Sequence, residues 1–449
     1  MGETALFTEL LLKIVDNRGR TCPTASNGTP LIATNCVKNG TLYPTYENVR
    51  YVDEETMSDW FRGHPMPGDI LFVCKGSPGQ VCLVPDPIDF CIAQDMVSVR
   101  ADPRKIYPPY LFAALRSSVV QNQIANMHVG TMIPHFKKGD FDKLHIPMPD
   151  IQSQMSIGDL YLELSNKIEL NRRINETLEA SARALFRDWF VDFGPVKAKA
   201  AAQAALGGPA QNHQAKAVPV TPNPATFAPE IWSLFPDALD DEGKPEGWQE
   251  FRLDELADYR TGSINPGNQP DTLFEHYSLP AYDAREQPAL DLGSTIKSNK
   301  TQIPSGAILL SKLNPETPRV WIPDLPAARP QVASTEFLAF VPKKKVGMAL
   351  VYSLFNETTF RQTLAGMVTG TSKSHQRVSP GAVTKLIVLT ADPQIFSTFE
   401  KVVGPMLDQI LANRLQSRTL AQTRDMLLPK LMSGEIRVAD GARAVDDAL

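Results

Sequence analysis

Two short stretches of the chain gather side chains able to meet a polyanion. The first reads Gly130-Thr131-Met132-Ile133-Pro134-His135-Phe136-Lys137-Lys138-Gly139, the second Gly370-Thr371-Ser372-Lys373-Ser374-His375-Gln376-Arg377. Each couples a Gly-Thr turn to a histidine and two basic residues. Lys and Arg neutralise phosphates or reach guanine, and Gln pairs with adenine in the major groove. His135, Lys137, Lys138, Lys373, His375, Gln376 and Arg377 are therefore candidate DNA contacts, and Lys75 and Lys312 complete the set. Any one of these residues alone reads as a solvated surface side chain. The two loops as a matched pair favour DNA.

The elements that must position these loops are two long helices. From Asp150, a good N-cap, no proline interrupts the chain until Pro195. Ile157, Leu164, Asn171, Leu178 and Leu185 recur seven apart, and Leu160/Tyr161, Lys167/Ile168, Ile174 and Ala182 partly fill a second stripe. The pattern predicts an amphipathic helix over 150–193 with a coiled-coil-like seam that carries one polar residue, Asn171. At about 1.5 Å per residue it would extend roughly 60 Å.

That helix occurs twice. Adding 242 to each number gives Asp392, Phe399, Met406, Asn413, Leu420 and Leu427, with Pro393 at the favoured first helical position. The repeat reaches back to the N-terminus, where Asp16-Asn17-Arg18 aligns with Asp258-Tyr259-Arg260. Met66-Pro67-Gly68-Asp69-Ile70-Leu71 aligns with Ile303-Pro304-Ser305-Gly306-Ala307-Ile308 at an offset of 237, and Val129-Gly130-Thr131 with Thr369-Gly370-Thr371 at 240. The chain is a duplicated globular unit plus long helix. The two helices are expected to pack antiparallel, with Asn171, Asn413, Leu164, Leu178, Met406 and Leu420 setting their register. A buried asparagine can specify register at some cost in stability; alternatively each asparagine faces solvent where the helices diverge. Gly404-Pro405 should kink or delay the second helix, and Pro429 should loosen its end.

The fold class expected is α+β. The parts are a first β-rich unit over 1–149, the first helix over 150–193, a linker over 194–247, a second unit over 248–391, the second helix over 392–437 and a tail over 438–449. Strands are expected near Leu31–Ala33, Asp69–Cys74, Gln80–Val84, Ile308–Leu313, Phe337–Val341 and Lys385–Leu389, and one helix over Tyr110–Met127. The first part of the linker is rich in Ala, Pro and Gln and reads as a tether. Its second part, Ile231-Trp232-Ser233-Leu234-Phe235, has the apolar weight to dock.

Composition bounds the rest. A chain of 449 residues with 43% hydrophobic and 21% charged residues is ordinary soluble globular protein with room for two or three cores. No 18-residue apolar run marks a membrane span, and the N-terminus lacks a secretory pattern. The five cysteines, Cys22, Cys36, Cys74, Cys82 and Cys91, are odd in number, all in the first unit and without metal spacing. They read as reduced thiols of a cytoplasmic protein. The net charge of -5 weighs weakly against nucleic acid; charge can be local, and partner subunits can carry backbone contacts.

Catalytic motifs are wanting. Tyr107-Pro108-Pro109-Tyr110 lacks the Asn with which an amino methyltransferase would hold its target amine, and no Gly-rich cofactor loop follows a strand. His128, His135 and His145 are too widely spaced for a tight metal pair. There is no Walker A lysine, HExxH or GxSxG.

In its order of parts the whole chain resembles the specificity (S) subunits of type I restriction–modification enzymes. Local segments agree: Asp16-Asn17-Arg18-Gly19-Arg20-Thr21, Pro67-Gly68-Asp69-Ile70-Leu71, Ile146-Pro147-Met148-Pro149, Trp189-Phe190-Val191-Asp192-Phe193, Pro245-Glu246-Gly247-Trp248, and Leu428-Pro429-Lys430-Leu431-Met432-Ser433-Gly434-Glu435-Ile436. The resemblance implies a non-catalytic subunit with two target-recognition domains, each reading half of a bipartite target in double-stranded DNA. The helices would set the unread spacer and dock two methyltransferase (M) subunits, with two restriction (R) subunits where the system has them. S-adenosylmethionine, ATP and magnesium would belong to those partners, with no cofactor in this chain and no membrane.

Two other readings compete. One is a DNA adenine methyltransferase carrying its own recognition domain, which S-adenosylmethionine binding by the isolated chain would reveal. The other is a coiled-coil adaptor without DNA, which two different heads on a matched frame fit less well. Because the units differ so much outside that frame, the DNA target should be asymmetric. A palindromic motif in methylation sequencing would contradict this.

Overall fold

The structure is a computed structural model that describes residues 3–17, 19, 21–127, 134–207, 229–324, 329–369, 376–436 and 440. The chain opens with β1 (Thr4–Leu6), β2 (Leu11–Val15), β3 (Thr29–Ile32), β4 (Arg50–Val52), α1 (Glu54–Asp59), β5 (Ile70–Val73), β6 (Val81–Leu83), β7 (Cys91–Ile92) and β8 (Met96–Ala101). There follow α2 (Pro108–Arg116), α3 (Ser118–Met127), β9 (His145–Pro147), α4 (Ile151–Phe190), α5 (Gly194–Gly207) and α6 (Pro229–Trp232). The second repeat begins with β10 (Gln249–Arg252), α7 (Leu253–Leu256), β11 (Ala257–Arg260), β12 (Ser263–Ile264), β13 (Leu273–Tyr277), α8 (Leu279–Arg285), β14 (Ala289–Leu292) and β15 (Lys300–Gln302). It continues through β16 (Ile308–Ser311), β17 (Val320–Trp321), β18 (Gln331–Ala333), β19 (Phe337–Pro342), α9 (Met348–Asn356), α10 (Thr358–Gly366), α11 (Pro380–Thr384), β20 (Ile387–Ala391) and α12 (Pro393–Ser433).

Two compact units emerge: Met1–Arg173 with Asn413–Leu449, and Ile174–Ala412. In the first, β2-β8-β5-β6 form an antiparallel sheet, and β4-β3-β7 a second, with β3 and β7 parallel. Side chains alternate across β5. Ile70 and Phe72 enter a core with Val97, Val99 and helices α2 and α4, while Leu71 and Val73 join Cys82 and Met96 on the other face. Burial on both faces is why this strand reads as a continuous apolar run.

The second unit repeats this plan. Its β11-β19-β16-β17 sheet has the same order, and β14-β13-β18 reproduces β4-β3-β7 with β13 and β18 parallel. Here β15 and β12 extend the smaller sheet to five strands. Strand pairing corrects two of the sequence alignments. Ile14 pairs with Val99 and Tyr259 with Phe340, while Ile70 pairs with Val99 and Ile308 with Phe340. Ile14 thus corresponds to Tyr259, and the likeness of Asp16-Asn17-Arg18 to Asp258-Tyr259-Arg260 is out of structural register. Gly68 and Gly306 both take positive φ, +83° and +72°, just before their strands, so Asp69 corresponds to Ala307.

That substitution is concerted. Asp69, 2% exposed, accepts from Arg100 Nε at 2.7 Å and Nη2 at 3.0 Å, from Ser98 Oγ at 3.0 Å and from the Met66 amide at 2.9 Å. By the same strand register, Ala307, Ala339 and Val341 stand in the second unit where Asp69, Ser98 and Arg100 stand in the first. One unit keeps a buried ion pair and the other fills the same place with apolar side chains.

Local breaks also repeat. The single helix expected over Tyr110–Met127 divides at Ser117, whose backbone is extended and whose hydroxyl accepts the Val120 amide at 3.3 Å. This cap competes with helix continuation and leaves Val119 exposed to solvent. Glu357 divides α9 from α10 in the same way, its carboxylate accepting the amides of Thr359 and Phe360. Tyr107-Pro108-Pro109-Tyr110 is a helix start: Pro108 opens α2, and the buried Tyr110 donates to Pro147 O at 2.8 Å.

Asp150 caps α4 by accepting the Ser153 amide at 3.0 Å, and Asp392 caps α12 by accepting that of Gln394 at 2.8 Å. The two helices contain 40 and 41 residues. The start of α12 is not delayed as one alternative had it: the helix begins at Pro393 and continues through Gly404, Pro405 and Pro429. An interior proline costs about 3 kcal/mol. Burying Val403, Leu407 and Ile410 around Pro405, and Leu428 and Leu431 around Pro429, contributes about 1.5–3 kcal/mol per side chain and outweighs it. Gly158 of α4 sits where a Cβ would meet the Tyr110 backbone nitrogen at 2.6 Å, so only glycine permits this approach to α2. The equivalent residue of α12 is Glu400, which instead accepts the Ala349 amide at 2.9 Å at the start of α9. The linker is less of a tether than its composition implies. Gly194–Gly207 is helical, and Phe235, 2% exposed, packs on Trp189 with ring centroids 5.2 Å apart. The rest of the Ala/Pro-rich stretch, 208–228, lies outside the described residues.

Asp69→Ala should cost about 2–3 kcal/mol in urea denaturation, somewhat below a fully buried pair because Arg100 keeps partial access to water. Adding Ser98→Ala and Arg100→Val should restore most of the loss by reproducing the second unit's apolar set.

Candidate nucleic-acid interface

In the first unit the segment after β5 zips against the base of the first basic loop. Phe136 N donates to Cys74 O at 2.8 Å and Gly76 N to Pro134 O at 3.0 Å, which places Lys75 opposite His135. Phe136 anchors the base: it is fully buried and packs against Phe72 and Phe141 at 5.8 and 5.6 Å. Lys75, Lys137 and Lys138 are exposed and His135 is half-buried. Lys138 Nζ lies 3.5 Å from Asp16 Oδ2.

The second unit builds the same zipper after β16. Val378 N donates to Lys312 O at 3.1 Å and Asn314 N to Gln376 O at 3.0 Å, and Leu313 faces Arg377. Thr369 and Arg377 exchange backbone bonds of 2.9 and 3.1 Å, closing the stem of the loop between them. Arg377 thus stands where His135 stands, and Leu313 where Lys75 stands. Lys312, half-buried, occupies the place of the buried Cys74. Lys75 and Lys312, both candidate contacts, thus do not occupy equivalent places. Arg377 is engaged: its Nε and Nη2 donate to both oxygens of Glu336 at 3.0–3.2 Å. Hydrogen bonding to Glu336, with its charge, holds the guanidinium pKa above its ordinary value. Lys373 and His375 lie outside the described residues, as do Gly130, Thr131, Met132 and Ile133 of the first loop.

Neither Asp16 nor Glu336 announced itself in sequence. Asp16 follows a strand and Glu336 sits in a turn before one, and only the fold brings each to its cation. Among the described residues no group of three or more His, Cys, Asp or Glu could hold a metal ion. The five cysteines are free and buried. Burial pushes the Cys82 thiol up to about 12 and, with the charge of Cys22 adding to burial, the Cys91 thiol likewise, so neither is a nucleophile. No helix among the described residues is long and apolar enough to cross a membrane. The arrangement offers exposed cations and amide groups on a rigid stem, which suits binding to an anionic, edge-bearing ligand rather than bond-making.

The sequence profile described as type I restriction modification DNA specificity domain matches residues 18–180. The HindI specificity subunit of Haemophilus influenzae, a type I restriction enzyme subunit, is 25% identical over 409 residues, covering 82% of this chain and 86% of that one. The MjaIX specificity subunit of Methanocaldococcus jannaschii is 22% identical over 392 residues, covering 83% and 78%. Over most of its length the chain is similar to type I restriction–modification specificity subunits, and its residues 18–180 match their DNA specificity domain. The crystal structure of the S subunit of such a system from M. genitalium shares the fold, with a TM-score of 0.51 at 14% identity and 96% of both chains covered.

The long helices contact each other antiparallel within each unit. In the first, Asn171 Nδ2 donates to Gln416 Oε1 at 2.8 Å, to Ser417 Oγ at 3.2 Å and to the Asn413 carbonyl at 3.5 Å. Arg424, 5% exposed, reaches back to Ser165 Oγ at 3.2 Å and lies over the Tyr161 ring at 5.1 Å. In the second, Asn175 Nδ2 meets the Ile410 carbonyl at 3.4 Å and Phe186 meets Phe399 at 6.0 Å. Asn171 and Asn413, 2% and 5% exposed, are buried against each other rather than facing solvent. Leu164 and Leu420 are buried beside them, at 3% and 0%. Leu178 and Met406 are only half-buried; Val403, Leu407 and Ile410 take the seam near Met406. A strict seven-residue spacing drifts from a 3.6-residue helix, which moves these two to the flank. Leu164→Ala should cost about 2–5 kcal/mol in urea denaturation. Leu178→Ala, at the flank, should cost less than about 1 kcal/mol by the same transfer argument.

Proposed function

We propose that each unit of this specificity subunit reads one half of a bipartite double-stranded DNA target through the stem and loop beside its four-stranded sheet. The observation that carries the reading is the zipper built twice on one strand order, with Lys75 and His135 in the first unit and Leu313 and Arg377 in the second. A common frame with different side chains at the same place is what two different half-sites require. Lys75, Lys137, Lys138, Lys312, Lys373 and Arg377, with His135, His375 and Gln376, are the residues proposed to meet phosphates and base edges.

The helices α4 and α12 set the spacer between the half-sites and carry two M subunits, with two R subunits where the system restricts as well as modifies. S-adenosylmethionine, ATP and magnesium belong to those partners. The partners also clamp the phosphate backbone, which reconciles DNA binding with a net charge of -5. The protein works in the cytoplasm, a setting its free, buried cysteines accord with.

Single-molecule methylation sequencing of a host expressing this chain with its M subunit should return a bipartite motif with a fixed gap that disappears when this chain is deleted. Inserting seven residues at matched points of α4 and α12 should lengthen the gap by about 3 base pairs, from about 1.5 Å per helical residue and 3.4 Å per base pair. An unchanged gap would mean that the helices do not measure it.

A further inference from the structure

Every cation proposed to meet DNA faces a choice between phosphate and base edge, and for Arg377 the geometry decides it. Glu336 holds the inner side of the guanidinium: Nε lies 3.0 and 3.2 Å from its two oxygens and Nη2 3.1 Å from one of them. The carboxylate is itself rooted. The Glu336 carbonyl accepts the Lys312 amide at 2.9 Å, and the next residue, Phe337, is 2% exposed. The stem does not depend on this pair. Its backbone bonds from Val378, Asn314 and Thr369 are made regardless, and an ion pair with side chains 37% and 23% exposed adds little stability.

The charge balance then matters. A guanidinium neutralised by a carboxylate at bonding distance has little net charge to offer a phosphate, whose contacts work by neutralisation and counterion release. It keeps its directional donors. With Nε and one N–H of Nη2 committed, the outer edge formed by Nη1 and Nη2 is a planar, two-pronged donor, the shape that matches O6 and N7 of guanine in the major groove. Glu336 also fixes the plane of that fork, which a freely rotating arginine would lack.

We propose that Arg377, oriented by Glu336, reads the guanine of one G·C pair in the half-site of the second unit. Arg377 is the specificity-determining residue and Glu336 a positioning residue. At the same place the first unit carries His135 beside Lys75, so this readout belongs to the second half-site alone. The inference rests on the proposal that each unit reads one half of the target.

The test is methylation sequencing of the complex of this chain with its M subunits, comparing wild type with Arg377→Ala, Arg377→Lys and Glu336→Gln. The expected result is relaxation at one G·C pair of one half-site, with discrimination there falling roughly 5- to 150-fold for Arg377→Ala. Arg377→Lys and Glu336→Gln should relax the same pair, and the rest of the motif should stand. The salt dependence of DNA binding by the complex should not change in Arg377→Ala. Even methylation loss across an unaltered motif, with a shallower salt slope, would make Arg377 a phosphate contact and overturn the proposal. So would an unaltered motif in folded Glu336→Gln and Arg377→Lys, which also covers the case of an unfolded Arg377→Ala. A wild-type complex with no motif dependent on this chain would instead defeat the half-site reading itself.

Discussion

The main hydrophobic core of each unit is closed by a helix end that arrives from the other half of the sequence. In the first unit Leu420, Leu427, Leu428 and Leu431 of α12 are buried with Tyr110, Ile157, Tyr161 and Leu164. In the second, Phe186, Trp189 and Phe190 of α4 are buried with Phe235, Phe399 and the β16 and β19 side chains. The repeat makes the two closures equivalent, since Phe186, Trp189 and Phe190 plus 242 are Leu428, Leu431 and Met432. Neither unit completes its apolar core from its own repeat, so α4 and α12 must run unbroken. That requirement explains why α12 carries Pro405 and Pro429 without ending.

On this shared frame the two units solve the same local problems with different chemistry. Where one buries Asp69 with Arg100 and Ser98, the other buries Ala307, Val341 and Ala339. Where Gly158 lets α4 approach the start of α2, Glu400 caps the start of α9. Ser117 and Glu357 break their helix pairs by different caps at the same elbow. A duplicated fold can drift this way because backbone geometry is retained while each side-chain set is satisfied internally. The same freedom extends to the stem residues, where Lys75 and His135 in one unit correspond to Leu313 and Arg377 in the other.

The stem also balances its charges locally. Lys138 is beside Asp16 and Arg377 is held by Glu336. Acidic residues that lower the net charge are partly there to orient cations.

The long helices, their aspartate caps, the duplication, the buried asparagine of the seam and the strands around Ile70 and Ile308 were legible in the residues themselves. Each follows from a period, a capping chemistry or an apolar run, which are local properties of a chain. Tertiary structure decided what depends on pairing between distant segments. It placed Ile14, rather than Asp16, in register with the second repeat's β11, and it put Leu313 opposite Arg377 where the first unit has Lys75 opposite His135. It moved Leu178 and Met406 to the flank of the seam, where packing against two cores, not a seven-residue spacing, sets the buried face. Glu336 became the partner of Arg377 in the same way, because two segments of no sequence likeness are brought within hydrogen-bonding distance only by the strand order of the sheet between them.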